Sequence, residues 1–109
     1  MNDKDEHDIN LNIHYSIPDE LWDKVIDVFG NMPYWIKDEK RRIDCLFWYD
    51  ENECVELYCS VEPSGIQISG IMMSDIWVKW YSELKNKLTD ALGYAIGEPE
   101  EGYEFKYWN

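Results

Sequence analysis

"CVELYCSVEPSGIQISGI", residues 54–71, reads as two β-strands folded back on each other. In its first half Val55, Leu57, Cys59 and Val61 alternate with Glu56, Tyr58, Ser60 and Glu62. That period of two marks a strand with its first set buried and its second facing outward. "EPSG" (62–65) supplies the turn, with Pro63 fixing one φ and Gly65 accepting a left-handed backbone. Ile66 and Ile68 then point inward on the returning strand. Just upstream, "IDCLFWY" (43–49) is also strand-like, and the acidic turn "DENE" (50–53) joins it to residues 54–62. Residues 43–71 therefore read as an antiparallel meander.

Helices flank this meander on both sides. In "SIPDELWDKVIDVFG" (16–30), Leu21, Trp22, Val25, Val28 and Phe29 recur at helical spacing. Ser16 is the expected N-cap with Asp19 three residues on, Pro18 sits in the first turn, and Gly30 is a fitting stop. "SDIWVKWYSELKNKLTDALG" (74–93) sets Trp77, Trp80, Tyr81, Leu84, Leu88 and Leu92 along one stripe, with Ser74 as the expected cap and Gly93 as the end. Before the first helix, "INLNIHY" (9–15) alternates Ile9, Leu11, Ile13 and Tyr15 against Asn10, Asn12 and His14, as a half-buried strand does. Between the first helix and the meander, Pro33 breaks the helical period, Tyr34 and Trp35 are expected to cap the core, and Lys37 and Lys40 to Arg42 form a basic patch. After the second helix, "YAIG", the connector "EPEE" and "YEFKYW" read as a short strand pair or an extended segment. Its alternating Tyr103, Phe105 and Tyr107 are expected to dock on the body.

The order β-α-β-β-β-α-β implies an α+β fold, a single antiparallel sheet with both amphipathic helices on one face. Residues 1–8 are expected to be a disordered acidic tail, and residues 9–109 a single domain.

Composition narrows the function. Lys and Arg number 10 against 23 Asp and Glu, a formal net charge of −13. Such an excess repels nucleic acid phosphates and anionic lipid and attracts basic partners. With 45% hydrophobic and 16% aromatic residues the chain is expected to fold despite its charge. The polar start lacks the apolar run of a signal peptide, and no segment matches a membrane span. Cys45, Cys54 and Cys59 are an odd number, and read as reduced thiols in a cytoplasmic protein.

Catalytic patterns are missing from the sequence. The histidines are His7 and His14, and nothing around the cysteines resembles a nucleophile turn. C-x8-C-x4-C lacks the close ligand pairs of a zinc site. "DENECVE" (50–56) opens like a calcium loop but has no glycine at its sixth position. No phosphate-binding glycine loop is present. The expectation is a non-enzymatic protein without metal or cofactor.

A surface remains. If both helices cover one sheet face, the other is open, and the alternation assigns to it Asn10, Asn12, His14, Asp44, Trp48, Glu56, Tyr58, Ser60, Glu62, Gln67 and Ser69. Trp48 and Tyr58 are the expected anchors for a protein partner, with Asp44 and Glu56 beside them and Asp50, Glu51 and Glu53 in the adjoining turn.

"SIPDELWDKVIDVFGNMPYW" (16–35), "VEPSGIQISGIM" (61–72) and "LGYAIGEPEEGYEFKYW" (92–108) give the chain a resemblance, over roughly residues 15–108, to small proteins of Bacillus-type bacteria associated with immunity in polymorphic toxin systems, contact-dependent inhibition among them. The resemblance implies a bacterial inhibitor that binds the toxic domain of a cognate effector and blocks its active site. Where that toxin is a nuclease its cleft is basic, and the partner of such a cleft is acidic. No functional residue is transferred by the resemblance. A second reading is a small-ligand module, its pocket lined by Trp35, Trp77, Trp80 and the C-terminal tyrosines.

Overall fold

The computed structural model of this protein describes residues 4–36 and 46–106. Along the chain these form β1 (Lys4–Leu11), α1 (Asp19–Gly30), β2 (Leu46–Asp50), β3 (Val55–Glu62), β4 (Gly65–Met73) and α2 (Ser74–Leu92), then a short 3-10 turn (Pro99–Glu101). The hairpin read from residues 54–71 is the middle of the sheet. Strand order is β1-β4-β3-β2 with every pair antiparallel. Glu62 faces Gly65 across the two-residue turn, Cys59 faces Ile68, and Ile68 in turn faces Ile9.

Both helices lie on one face of this sheet. Trp48 of β2 is wholly buried, and its ring meets Phe29 of α1 at 5.1 Å and Trp80 of α2 at 5.0 Å between centroids. Its indole N–H donates to the Phe29 carbonyl at 3.3 Å, an acceptor at the end of α1 that also takes the Met32 N–H at 3.2 Å. Trp35 and Phe47 complete the cluster at 5.9 and 5.7 Å from Trp48. On α2 the expected stripe is the buried one, through Trp80, Leu84, Leu88 and Leu92. Each such side chain contributes about 2 kcal/mol on burial, before the entropy of ordering it. Gly93 ends α2 at φ 83°, the left-handed cap its position suggested.

Several expectations are corrected. β1 begins at Lys4 and pairs with β4 from there, so residues 4–8 are strand and not tail. Their charges sit at strand edges and on a solvated face, where a sheet tolerates them. Neither expected cap forms. The N-cap of α1 is Pro18, and the Ser16 hydroxyl instead donates to Nδ1 of His14. Ser74 is already the first residue of α2, and its hydroxyl donates to the Asp5 carboxylate, tying the start of the helix to the start of β1. The last strand is likewise absent among the described residues. Residues 94–106 pass through the 3-10 turn and run extended without joining the sheet.

Their anchor is Asn12, read from sequence as outward-facing and in fact wholly buried. Its Nδ2 donates to the carbonyls of Ala95 (2.9 Å) and Glu104 (2.7 Å), and its Oδ1 accepts from the Gly97 N–H at 2.9 Å. Its own N–H donates to the Gly97 carbonyl, and its carbonyl accepts from the Tyr94 hydroxyl. One amide side chain thus replaces a ladder of strand bonds. The Tyr103 ring closes over Gly97, where a Cβ would stand 2.4 Å from that ring. The C-terminal segment is docked, as its aromatic alternation suggested, and Tyr103 and Phe105 are half-buried. Tyr107 and the basic patch at Lys37 and Lys40 to Arg42 lie outside the described residues.

Candidate partner-binding face

The sheet face turned away from the helices carries two cross-strand rows at one end. Pairing of β1, β4, β3 and β2 places Glu6, Ile71, Glu56 and Tyr49 side by side, and the next row is Asp8, Ser69 and Tyr58. Farther along, Asn10, Gln67 and Ser60 make a neutral row of amides and a hydroxyl. Chemistry therefore changes along the face. One end combines carboxylates with partly exposed rings and Ile71, and the other presents hydrogen-bonding groups closed at the hairpin by Glu62.

The acidic end is also the more sculpted one. A cavity of about 210 Å³ is lined by Tyr49, Asp50, Glu51, Cys54, Val55, Glu56 and Ile71. A second, of about 470 Å³, is lined by Glu6, His7, Asp8, Tyr58, Ser69 and Gly70. Gly70 is required here. Its φ is 142°, and a Cβ would fall 2.0 Å from the Glu56 carbonyl oxygen. Tyr49 is 44% exposed, a large ring left in water at the sheet margin. Asp8 receives a hydrogen bond from the Gln67 amide at 2.8 Å, and Glu62 one from the Ser60 hydroxyl at 2.8 Å.

The turn after β2 extends this acidic end. Asp50 Oδ1 accepts the Glu53 N–H at 3.0 Å, which spends one oxygen on the turn, while Glu51 and Glu53 are exposed. Cys54 closes the turn in the left-handed region at φ 59° and is an exposed free thiol. Behind the turn, Tyr34 feels these charges. Burial first, then Glu53 and Asp50, raise its phenol above the ordinary tyrosine range.

Of the residues expected at the site, Glu56 and Tyr58 stand together on the open face, and Asp50, Glu51 and Glu53 border it. Trp48 does not. A bulge between Leu46 and Trp48 shifts the alternation by one residue, so Leu46 opposes Tyr58 while Trp48 opposes core-facing Leu57. Asp44 lies outside the described residues. Asn12 is buried, and Val61, expected inside, is 50% exposed. Sequence reading missed Glu6, Asp8, Tyr49 and Ile71. The signal for the first two was present, since Glu6, Asp8 and Asn10 continue the strand's polar parity, but the density of charge read as a tail.

The rings considered for a ligand pocket are divided among other tasks. Trp77 stacks between His7 (4.0 Å) and Tyr81 (4.9 Å), Trp80 lies against both Trp48 and Trp77, and Trp35 packs on Phe47 and Trp48. A second acidic cluster, Glu98 to Glu101, lies on the helix side. There the Tyr81 hydroxyl donates to Glu98 at 3.3 Å, and Lys85 sits 4.2 Å above the Tyr81 ring. Burial, then the charge of Glu101, raise the Glu98 carboxyl above its usual range. This cluster is partly compensated from within, by the Tyr81 hydroxyl and the nearby Lys85 ammonium. Among the described residues no helix is long and apolar enough to cross a membrane. Comparison with protein-family models, curated proteins and solved structures finds no match to this chain.

Proposed function

We propose that this chain is a cytoplasmic immunity protein that neutralises a cognate basic toxin domain without catalysis, by occluding its active site. The observation that carries the reading is the acidic end of the uncovered sheet face. There Tyr49, Tyr58 and Ile71 are flanked by Glu6, Asp8 and Glu56 and bordered by the Asp50–Glu53 turn. Rings and an aliphatic side chain half out of water supply apolar contact for a partner, and the surrounding carboxylates steer a cationic surface toward it. Against a nuclease, the carboxylates occupy positions where the toxin would hold phosphates. The net charge of −13 extends the same attraction beyond contact distance.

The test is association kinetics with the cognate toxin domain, to be sought in the neighbouring upstream gene, at low and high salt. The double variant Glu6→Lys, Glu56→Lys should slow association at least ~10-fold at low salt, with the gap narrowing at high salt. Tyr58→Ala should instead speed dissociation by roughly 10-fold. Association that ignores salt and both charge reversals would refute the assignment of this face.

A further inference from the structure

The two edges of the sheet are treated differently by the chain. At β2 the outer edge is occupied, since the Ile36 N–H donates to the Phe47 carbonyl at 2.9 Å and the Tyr49 N–H to the Tyr34 carbonyl at 2.9 Å. At β1 the described residues cover one position just past the strand, where the Asn12 N–H donates to the Gly97 carbonyl at 3.1 Å. The alternation of an antiparallel ladder identifies what remains. Asn12 points its N–H away from β4, so Asn10, Asp8 and Glu6 do likewise, while Leu11, Ile9 and His7 bond to β4. The hairpin agrees, because Glu62 and Gly65 close a two-residue turn and so form a hydrogen-bonded pair, which turns Ile66, Ile68 and Gly70 toward β1. Among the described residues no backbone group of another segment meets the outward groups of Glu6, Asp8 or Asn10. β1 pairs over 8 residues without a bulge. A long, regular, open edge is a template for another strand.

We infer that this edge receives an extended segment of the basic partner, which adds a fifth strand beside β1 and places its cationic side chains on the open face against Glu6 and Asp8. The inference rests on the basic-partner reading above and names the way that partner is gripped. Charge selects this occupant over a second copy of the chain. A two-fold pairing of β1 with itself centred on His7 or Asp8 sets carboxylate directly opposite carboxylate, as Glu6 on Asp8 or Asp8 on Asp8; centred on Glu6 it sets Glu6 on Glu6 and Lys4 on Asp8, and there the net charge of −13 on each copy opposes the pair. Like charges in that position destabilise a strand pair, whereas Lys or Arg there stabilises it. Main-chain bonds then supply affinity, and the alternate side chains supply the choice of partner.

The probe is an end-blocked eight-residue peptide alternating Lys and Val, compared with two isomers carrying N-methyl groups on all Lys nitrogens or on all Val nitrogens. With the peptide antiparallel to β1 and Lys opposite Glu6 and Asp8, the Lys nitrogens face β1 and the Val nitrogens face water. Binding should fall at least 10-fold for the Lys-methylated isomer and stay within about 2-fold for the Val-methylated one, at equal charge. Amide exchange at Glu6, Asp8 and Asn10 should slow at least 10-fold at saturating parent peptide. Equal binding by the two isomers, no binding, or unchanged exchange would overturn the edge assignment while leaving the toxin-domain kinetics to judge the face. Sedimentation as a dimer with those amides protected in the absence of peptide would also overturn it, since the occupant would then be a second copy.

Discussion

Asn12 shows how much one side chain can determine. Its amide uses both donors and its acceptor on the segment from Ala95 to Glu104, at full burial. Replacing it with alanine strands the buried Gly97 N–H and takes the amide donors from the half-buried carbonyls of Ala95 and Glu104. Asn12→Ala should cost about 3 kcal/mol in urea unfolding, and residues 94–106 should become more susceptible to proteolysis. Glu98 presents the opposite case, an ionised group that the fold disfavours. Its folded pKa lies above the ordinary 4.5, chiefly because burial penalises the charge and Glu101 adds repulsion. The folded state therefore holds the proton more tightly than the unfolded one. This contribution is fully present below the unfolded pKa and is lost as pH rises through the folded value. Glu98→Gln should raise the melting temperature at pH 7, and the gain should fade toward about pH 4. A gain of equal size at both values would show that Glu98 ionisation is not the cause.

Among the elements, β2 is where simple alternation fails. The bulge before Trp48 directs its ring into the contact between the helices and the sheet, while Tyr49 remains at the margin. Trp48 joins β2 to both α1 and α2 and also bonds the end of α1. Trp48→Ala should cost about 4 kcal/mol, whereas Tyr58→Ala should change stability by less than about 1 kcal/mol. Equal costs in denaturant titration would mean that the two rings had been assigned to the wrong sides of the sheet. The helices behave more predictably. An apolar stripe at helical spacing has one face to bury, and α2 buries the one its sequence marks. Serine caps are less legible, because a hydroxyl takes the nearest acceptor, here His14 for Ser16 and Asp5 for Ser74.

For the whole molecule, acidity is both a functional lever and a cost. A net charge of −13 in 109 residues makes the compact state repel itself. The Lys87–Glu83 ion pair on α2, at 2.8 Å, is exposed and contributes little against that. Raising sodium chloride from about 20 mM to about 500 mM should therefore raise the melting temperature by several degrees, as the Debye length shrinks from roughly 20 Å to roughly 4 Å. A fall in calorimetry over the same range would mean that attractive pairs outweigh repulsion. The same screening should slow capture of a basic partner, so stability and association rate should respond to salt in opposite directions.

What the sequence determined by itself was periodic. Alternation over 54–71, two apolar stripes at helical spacing and the turn chemistry of "EPSG" were enough for an antiparallel sheet with two helices on it, because burial repeats along each element. They also placed Glu56 and Tyr58 on the open face. What the tertiary structure alone decided was singular. The bulge that buries Trp48, the burial of Asn12 and the pairing of residues 4–8 each depend on a neighbour distant in sequence, namely β3, the C-terminal segment and β4. A strand's own pattern cannot reveal an inserted residue, since the shift appears only against its partner's register. Nor can a polar residue's parity show that another segment will cover it, because burial of a hydrogen-bonded amide leaves no hydrophobic mark.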